Sequence, residues 1–281
     1  MQRASADQSF VEFREVTVSD PLRQGDILEA TEVGASKWQR NLFVLTADCD
    51  FANAKNQGRV TCVPLLTQDE YILEFQIPRI RRRLLPRLTE NFQAIIAKSS
   101  DRTISTDRLT SWPLEEETDT ILGALDIDLA SIETARLVID AIREISVPHD
   151  TLDTAVQHLV SAHAAIPNGK SPANAKKDIL ATVQSHYSSP PGDALFLSAI
   201  APAMQDGYFL YLRHLEQVPE SQIALGPMRT SSSYRRIARL HDRFTHAVAQ
   251  QFALVFMAIG LPSEYEEMRN LHAELLGERY K

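Results

Sequence analysis

Cysteine is nearly absent from this chain: Cys49 and Cys62 are the only two. That excludes a disulfide scaffold and leaves reduced thiols as the expectation. No stretch approaches the roughly 18 consecutive apolar residues of a membrane span. The longest candidate, Phe252 to Leu261, is too short. The opening MQRASADQSF lacks the apolar core of a signal peptide, so a cytoplasmic protein with no membrane association is expected. There is no GxGxxG, Walker A or GxSxG pattern, which leaves kinase, NTPase, dehydrogenase and α/β-hydrolase chemistry without a foothold. CxxC and HExxH are missing too. His158 and His163 stand five apart, the wrong spacing for one helical face, so neither a metal signature nor a cofactor is expected. Excess basic charge is also lacking. With 29 Lys and Arg against 37 Asp and Glu, the formal charge is −8, and any site for an anion has to be local.

What remains is an ordinary globular composition, 44% hydrophobic and 23% charged, over 281 residues. That is enough for one large or two ordinary domains. Residues 10–77 read as short strands: 10–13, 15–18, 25–28, the apolar run 41–46, the β-rich 59–66 and the alternating 71–77. GAS, NAKNQG and TQDE supply turns between them. A helix is expected over 89–97, then a polar loop through Trp112-Pro113.

Helical periods follow. Ile132, Ala135, Ile139, Ile142 and Ile145 form a stripe ended by Val147-Pro148. Asp150 is the expected cap of a helix carrying Leu152, Ala155, Val156, Leu159 and Val160, and Ser171-Pro172 opens another with Ile179, Leu180 and Val183. After Pro190-Pro191-Gly192 strands resume at 194–200 and 208–218. Two helices are expected to close the chain, 234–259 with Ile237, Leu240, Phe244, Val248 and Phe252 on one face, and 264–276. The expected layout is therefore 10–88 as the first part of a β-barrel, 89–192 as a helical insertion, 193–228 as strands completing the barrel, and 229–281 as C-terminal helices.

The segment LFVLTADCD raises the sharpest chemical question. If the strand continues, Val44, Thr46, Asp48 and Asp50 share a face. Two carboxylates and a hydroxyl suit a hard cation or an acid–base pair, which opens a metal-dependent hydrolase centred on Asp48 and Asp50. The alternative is that both aspartates close the turn by Asx hydrogen bonds. Two flanking carboxylates disfavour a reactive thiolate, so Cys49 reads as inert.

Several motifs carry a family resemblance: Gly25-Asp26, the Arg-led apolar run Arg40 to Thr46, Asn53 and Asn56 in the next loop, Cys62-Val63-Pro64-Leu65-Leu66-Thr67-Gln68, and Tyr71 to Phe75. Together they resemble the MazF/PemK toxins, small SH3-like barrels that cut RNA. The resemblance implies an α+β fold: a MazF/PemK-type SH3-like β-barrel, with a large α-helical insertion and C-terminal helices added. It implies metal-independent endoribonuclease chemistry, with Arg40 stabilising the phosphorane and Thr67 or Thr46 assisting proton transfer. The family's second catalytic position aligns with Leu66, one residue before Thr67, and one residue moves a side chain to the other face of a strand. The Gln24-Gly25-Asp26 and Val44 to Asp50 segments also resemble uncharacterised bacterial proteins, some of them encoded near phage-defence genes.

Two basic segments complete the reading. Arg79, Arg81, Arg82, Arg83 and Arg87 put five arginines into nine residues. They suit a phosphate-contacting loop, or a solvated or partner-binding one. Arg235, Arg239 and Arg243 fall at i, i+4 and i+8 of the expected last long helix, as a nucleic-acid or partner face or as a solvated face paired with Asp242. The functional expectation is a toxin-like or defence-associated module that binds a protein partner through residues 89–192, with RNA as a further ligand and self-association compatible. The endoribonuclease is the alternative, and the hydrolase the third reading.

Overall fold

A computed structural model describes residues 11–99, 103–167, 169–188, 192–226, 232–257 and 263–279. The fold is mixed α+β, with a curled sheet and several helices. Its strands are β1 (Phe13–Arg14), β2 (Asp26–Ala30), β3 (Asn41–Val44), β4 (Arg59–Thr67), β5 (Ala194–Leu197), β6 (Tyr208–Tyr211), β7 (Glu216–Pro219), β8 (Ile223–Ala224) and β9 (Tyr234–Leu240). The sheet order is β1-β9-β2-β3-β4-β6-β5, with β7 on β4 and β8 on β9. The β1–β9, β2–β9, β2–β3, β3–β4 and β4–β7 pairings are antiparallel, and β8–β9 is parallel.

The helices are α1 (Lys37–Arg40), α2 (Asp48–Ala52), α3 (Gln68–Tyr71), α4 (Ile77–Ser99), α5 (Thr106–Glu115), α6 (Thr118–Leu125), α7 (Ile132–Ser146), α8 (Leu152–Ala164), α9 (Pro172–Ser188), α10 (Asp242–Phe256) and α11 (Ser263–Arg279). The chain forms two compact units. One is the sheet unit, Met1–Leu65 with Gly192–Gln205 and Leu210–Lys281. The other is the helical unit, Leu66–Pro191 with Asp206–Phe209.

In the sheet unit, Leu22, Leu28, Leu42, Val44, Val60, Cys62, Val218 and Ile223 form a buried cluster. Burial pushes the Cys62 thiol up, which keeps it protonated and inert. The helical unit has its own core, to which α7 contributes Ala135, Val138, Ile139, Ala141, Ile142 and Ile145. The expected stripe of that helix is the face it buries. Likewise α8 buries Ala155, Val156 and Leu159, and α9 buries Ile179 and Val183 while Leu180 stays exposed. Thr151, not Asp150, caps α8: its hydroxyl accepts from the Thr154 N–H at 3.2 Å.

Several expectations change, among them the strand expected at 15–18, which is coil and turn after β1. The alternating segment 71–77 is not a strand. Thr67 and Glu70 form a capping box that opens α3, and a π-helical stretch (Ile72–Gln76) then runs into α4. Its buried residues are Tyr71, Ile72, Gln76 and Ile77, and that five-residue repeat fits a π turn better than a strand's period of two. Consequently α4 begins at Ile77 rather than near 89, and the Arg79–Arg87 segment is helical, not a loop. The polar loop through Trp112-Pro113 is helix α5. The stretch 208–218 is two strands, β6 and β7, rather than one.

Finally, the first seven residues of the expected helix 234–259 are strand β9, seated between β1 and β2. The sheet is therefore completed by residues assigned above to the C-terminal helices. The expected breaks at Pro190-Pro191 and Gly260-Leu261-Pro262 lie outside the described residues.

Candidate functional site

The QGD and DCD segments meet in the sheet unit. Asp48 does not continue a strand but opens α2. Its Oδ2 accepts from Arg23 Nε at 3.0 Å and Nη2 at 2.7 Å, and its Oδ1 accepts from the Gln24 N–H at 2.9 Å. The Gln24 side chain donates to the Leu45 carbonyl at 2.9 Å. Gly25 follows at φ +91°, and a Cβ there would fall 2.4 Å from the Thr245 hydroxyl. Asp48 therefore clasps a distant turn, binding Arg23 and the Gln24 N–H rather than closing its own turn as an Asx hydrogen bond would.

Asp50 lines a different, polar cleft of about 500 Å³ with Thr46, Lys55, Asn56, Arg59, Thr61 and Gln217. The aspartates do not share a ligand set: no cluster of three or more His, Cys, Asp or Glu side chains suited to a metal occurs among the described residues. Helix α2 is the reason, because its turn sends neighbouring side chains in different directions.

The other candidates for catalysis are also engaged. The Thr46 hydroxyl accepts from the Thr61 N–H at 2.7 Å. The Thr67 hydroxyl caps α3, accepting from the Glu70 N–H at 3.3 Å. Arg40 is exposed at the end of α1 in the sheet unit, whereas Thr67 belongs to the helical unit.

Of the second arginine group, Arg239 is buried in the sheet, 3% exposed at the side chain. Its Nε donates to Asp26 Oδ1 at 2.6 Å and its Nη2 to Oδ2 at 3.0 Å. Arg236 joins the same carboxylate at 3.4 Å. Residues three apart on a strand normally face opposite sides. Here the register against β2 shifts between Ile27 and Leu28, so that Ala238 and Arg236 oppose adjacent residues. The bulge turns both guanidinium groups to one side. Arg235 is exposed but held by Glu29 at 2.6 Å, and Arg243 stands on α10 beside the Phe244 ring. The three do not share a helical face. Because Arg239 is neutralised inside the sheet, it is no contact for a nucleic acid.

The first arginine group has a different setting. On α4, Arg79, Arg83 and Arg87 lie at i, i+4 and i+8, with Arg82 beside them, and all four are exposed. No hydrogen bond or ion pair to a carboxylate is made by these four among the described residues. Arg81 is set apart: it is half-buried and donates to the Ser146 carbonyl at 3.2 Å, closing the C-terminus of α7.

Arg83 and Arg87 form one wall of a cleft of about 230 Å³, over an apolar floor of Ile80, Leu84 and Ile179. His163, Lys170, Asp178 and Thr182 complete it, all within the helical unit. Lys170 is ion-paired with Asp178, and the Thr182 hydroxyl is turned back to the Asp178 carbonyl at 2.9 Å. Burial, with Arg87 and Lys170 close by, holds the His163 imidazole below its usual range, so the ring is neutral at pH 7. Its Nδ1 is buried with no hydrogen-bond partner among the described residues. His186 is lowered by burial and by Arg79, which places another ring beside the same row of cations.

Sequence reasoning weighed His163 only as a metal ligand and did not reach Lys170, Asp178 or Thr182. The usable signal was the four-residue spacing of Arg79, Arg83 and Arg87 alongside Ile80 and Leu84, which is a helical pattern. No protein-family model, curated protein or solved structure matches the chain.

Proposed function

We propose that this chain is a binding module that grips the phosphate backbone of RNA through Arg79, Arg82, Arg83 and Arg87. One observation carries the reading: four exposed guanidinium groups on one side of α4 meet no carboxylate among the described residues, in a chain of net charge −8. Several other arginines are neutralised by carboxylates, as Arg239, Arg235 and Arg23 are by Asp26, Glu29 and Asp48. An unpaired cationic row is the electrostatic footprint of a polyanion.

The MazF/PemK resemblance of residues 25–75 favours RNA over DNA. Both resemblances favour a toxin-like or defence-associated setting. Binding is favoured over cleavage because the Thr46 and Thr67 hydroxyls already hold backbone groups and Asp48 holds Arg23.

The test is fluorescence anisotropy with a labelled unstructured RNA across a salt series. Single strands give about −0.7 in log K against log salt per neutralised phosphate, so four contacts give a slope of about −2.8. The double variant Arg79→Ala/Arg83→Ala lowers its magnitude to about 1.4. The RNA stays intact on a gel with or without EDTA, and Arg40→Ala changes nothing. A slope unmoved by the double variant, or cleavage that depends on Arg40, overturns the reading. Absence of RNA binding overturns it as well, and leaves an acidic protein surface as the competing ligand.

A further inference from the structure

The four arginines do not all face the same surroundings. Arg79 and Arg82 are exposed outside the lining of the cleft, whereas Arg83 and Arg87 line it. Three cationic side chains enter that cleft, Arg83, Arg87 and Lys170, against the single carboxylate of Asp178. With His163 neutral, the formal balance is 3 − 1 = +2. Arg87 and Lys170 stand near enough to oppose protonation of His163, so like charges are gathered there in a partly dehydrated place. The unfolded chain carries no such repulsion, and a bound anion relieves it.

The cleft also limits the shape of its ligand. Its volume is about 230 Å³, below the roughly 300–1,000 Å³ of pockets for drug-sized ligands. That accommodates a phosphate and part of a nucleoside, and does not accommodate a length of strand. A phosphomonoester carries close to two negative charges near neutral pH, with a second pKa of about 6, and three terminal oxygens. An internal phosphodiester carries one charge and two free oxygens. Two guanidinium forks and an ammonium therefore match the monoester in both charge and donor number. The floor of Ile80, Leu84 and Ile179 suits the apolar face of the attached sugar or base.

We infer that this cleft of the helical unit is a site for a terminal phosphomonoester of a nucleotide or RNA end, held by Arg83, Arg87 and Lys170, with Asp178 positioning Lys170. The inference rests on the RNA-binding reading for the identity of the polymer but not for the phosphate group itself. Arg79 and Arg82 then carry the strand that leads away from the cleft.

The experiment measures binding of one short RNA sequence in three forms: with a 5′-phosphate, with a 3′-phosphate, and with hydroxyls at both ends. Calorimetry with adenosine 5′-monophosphate against adenosine forms a separate arm. One phosphorylated form is expected to bind at least about tenfold tighter than the hydroxyl-ended form, about 1.4 kcal/mol. Which form it is identifies the end. Arg87→Ala removes that preference, whereas Arg82→Ala weakens all three forms by a common factor. Both side chains are exposed, so neither variant threatens the core.

Equal binding of all three forms overturns the phosphomonoester site while the RNA-binding reading stands. If no RNA form binds, the RNA-binding reading falls and the nucleotide arm decides the cleft. Binding of the monophosphate but not adenosine, lost in Arg87→Ala, sustains the site; no binding of the monophosphate overturns it.

Discussion

Replacing Asp26 by Asn tests what holds the sheet unit together. The carboxylate is fully buried and faces two guanidinium groups whose side chains are 1% and 3% exposed. It accepts from Arg239 at 2.6 and 3.0 Å, from Arg236 at 3.4 Å and from the Arg23 N–H at 2.9 Å. The Pro21 and Thr17 carbonyls take further N–H groups of the same arginines, so the cluster is well satisfied apart from the buried Arg236 Nε. An amide of the same size keeps one acceptor oxygen, places an NH₂ against donors, and leaves two buried cations with only the more distant, exposed Asp20 as counter-charge.

Removing one partner of a buried pair costs about 3–5 kcal/mol. Set against the roughly 5–15 kcal/mol of typical native stability, that is a large share. At about 2–4 °C per kcal/mol for a unit of this size, the midpoint falls by roughly 6–20 °C. The assay is thermal and urea unfolding followed by circular dichroism. Replacing the whole cluster, as Asp26→Leu/Arg236→Met/Arg239→Met, recovers most of the loss, because apolar side chains of similar volume need no counter-charge. A loss of less than about 1 kcal/mol in Asp26→Asn refutes the reasoning.

Two further outcomes follow from the same physics. In the helical unit, His149, His163 and His186 are all held below their usual range, burial being the largest cause in each. Below about pH 6.5 the unfolded chain binds more protons at these positions than the folded one, so stability falls as pH drops from 7 towards 5. Urea midpoints between those values check this, and a flat or rising trend sinks it. Gly25→Ala is expected to cost the sheet unit about 1–3 kcal/mol for a positive φ that alanine resists, besides the clash with Thr245. Adding Thr245→Ala removes the clash but not the backbone cost, so full recovery in the double variant would show that φ +91° is not the constraint.

Local pattern alone was enough for α7, α8 and α9, because the stripes of Ala135 to Ile145, Ala155 to Leu159 and Ile179 with Val183 are the faces these helices bury. A helix makes its hydrogen bonds within itself, so a window of a dozen residues contains most of what decides it. The same window holds less of what decides a strand. Tyr234 to Leu240 carries apolar residues at helical spacing, yet its partner β2 lies about 200 residues away, and pairing with it outweighed local preference. Tyr71 to Ile77 failed in the opposite sense: its alternation suited a strand, but the capping box at Thr67 and Glu70 started a helix just before it.

Charge followed the same division. The sequence showed where arginines concentrate, and the net charge showed that any anion site had to be local. Only tertiary structure separated the groups, burying Arg239 on Asp26 across 213 residues while leaving Arg79, Arg82, Arg83 and Arg87 exposed. An arginine's availability depends on which carboxylate the fold brings within hydrogen-bond reach, and no local pattern contains that distance.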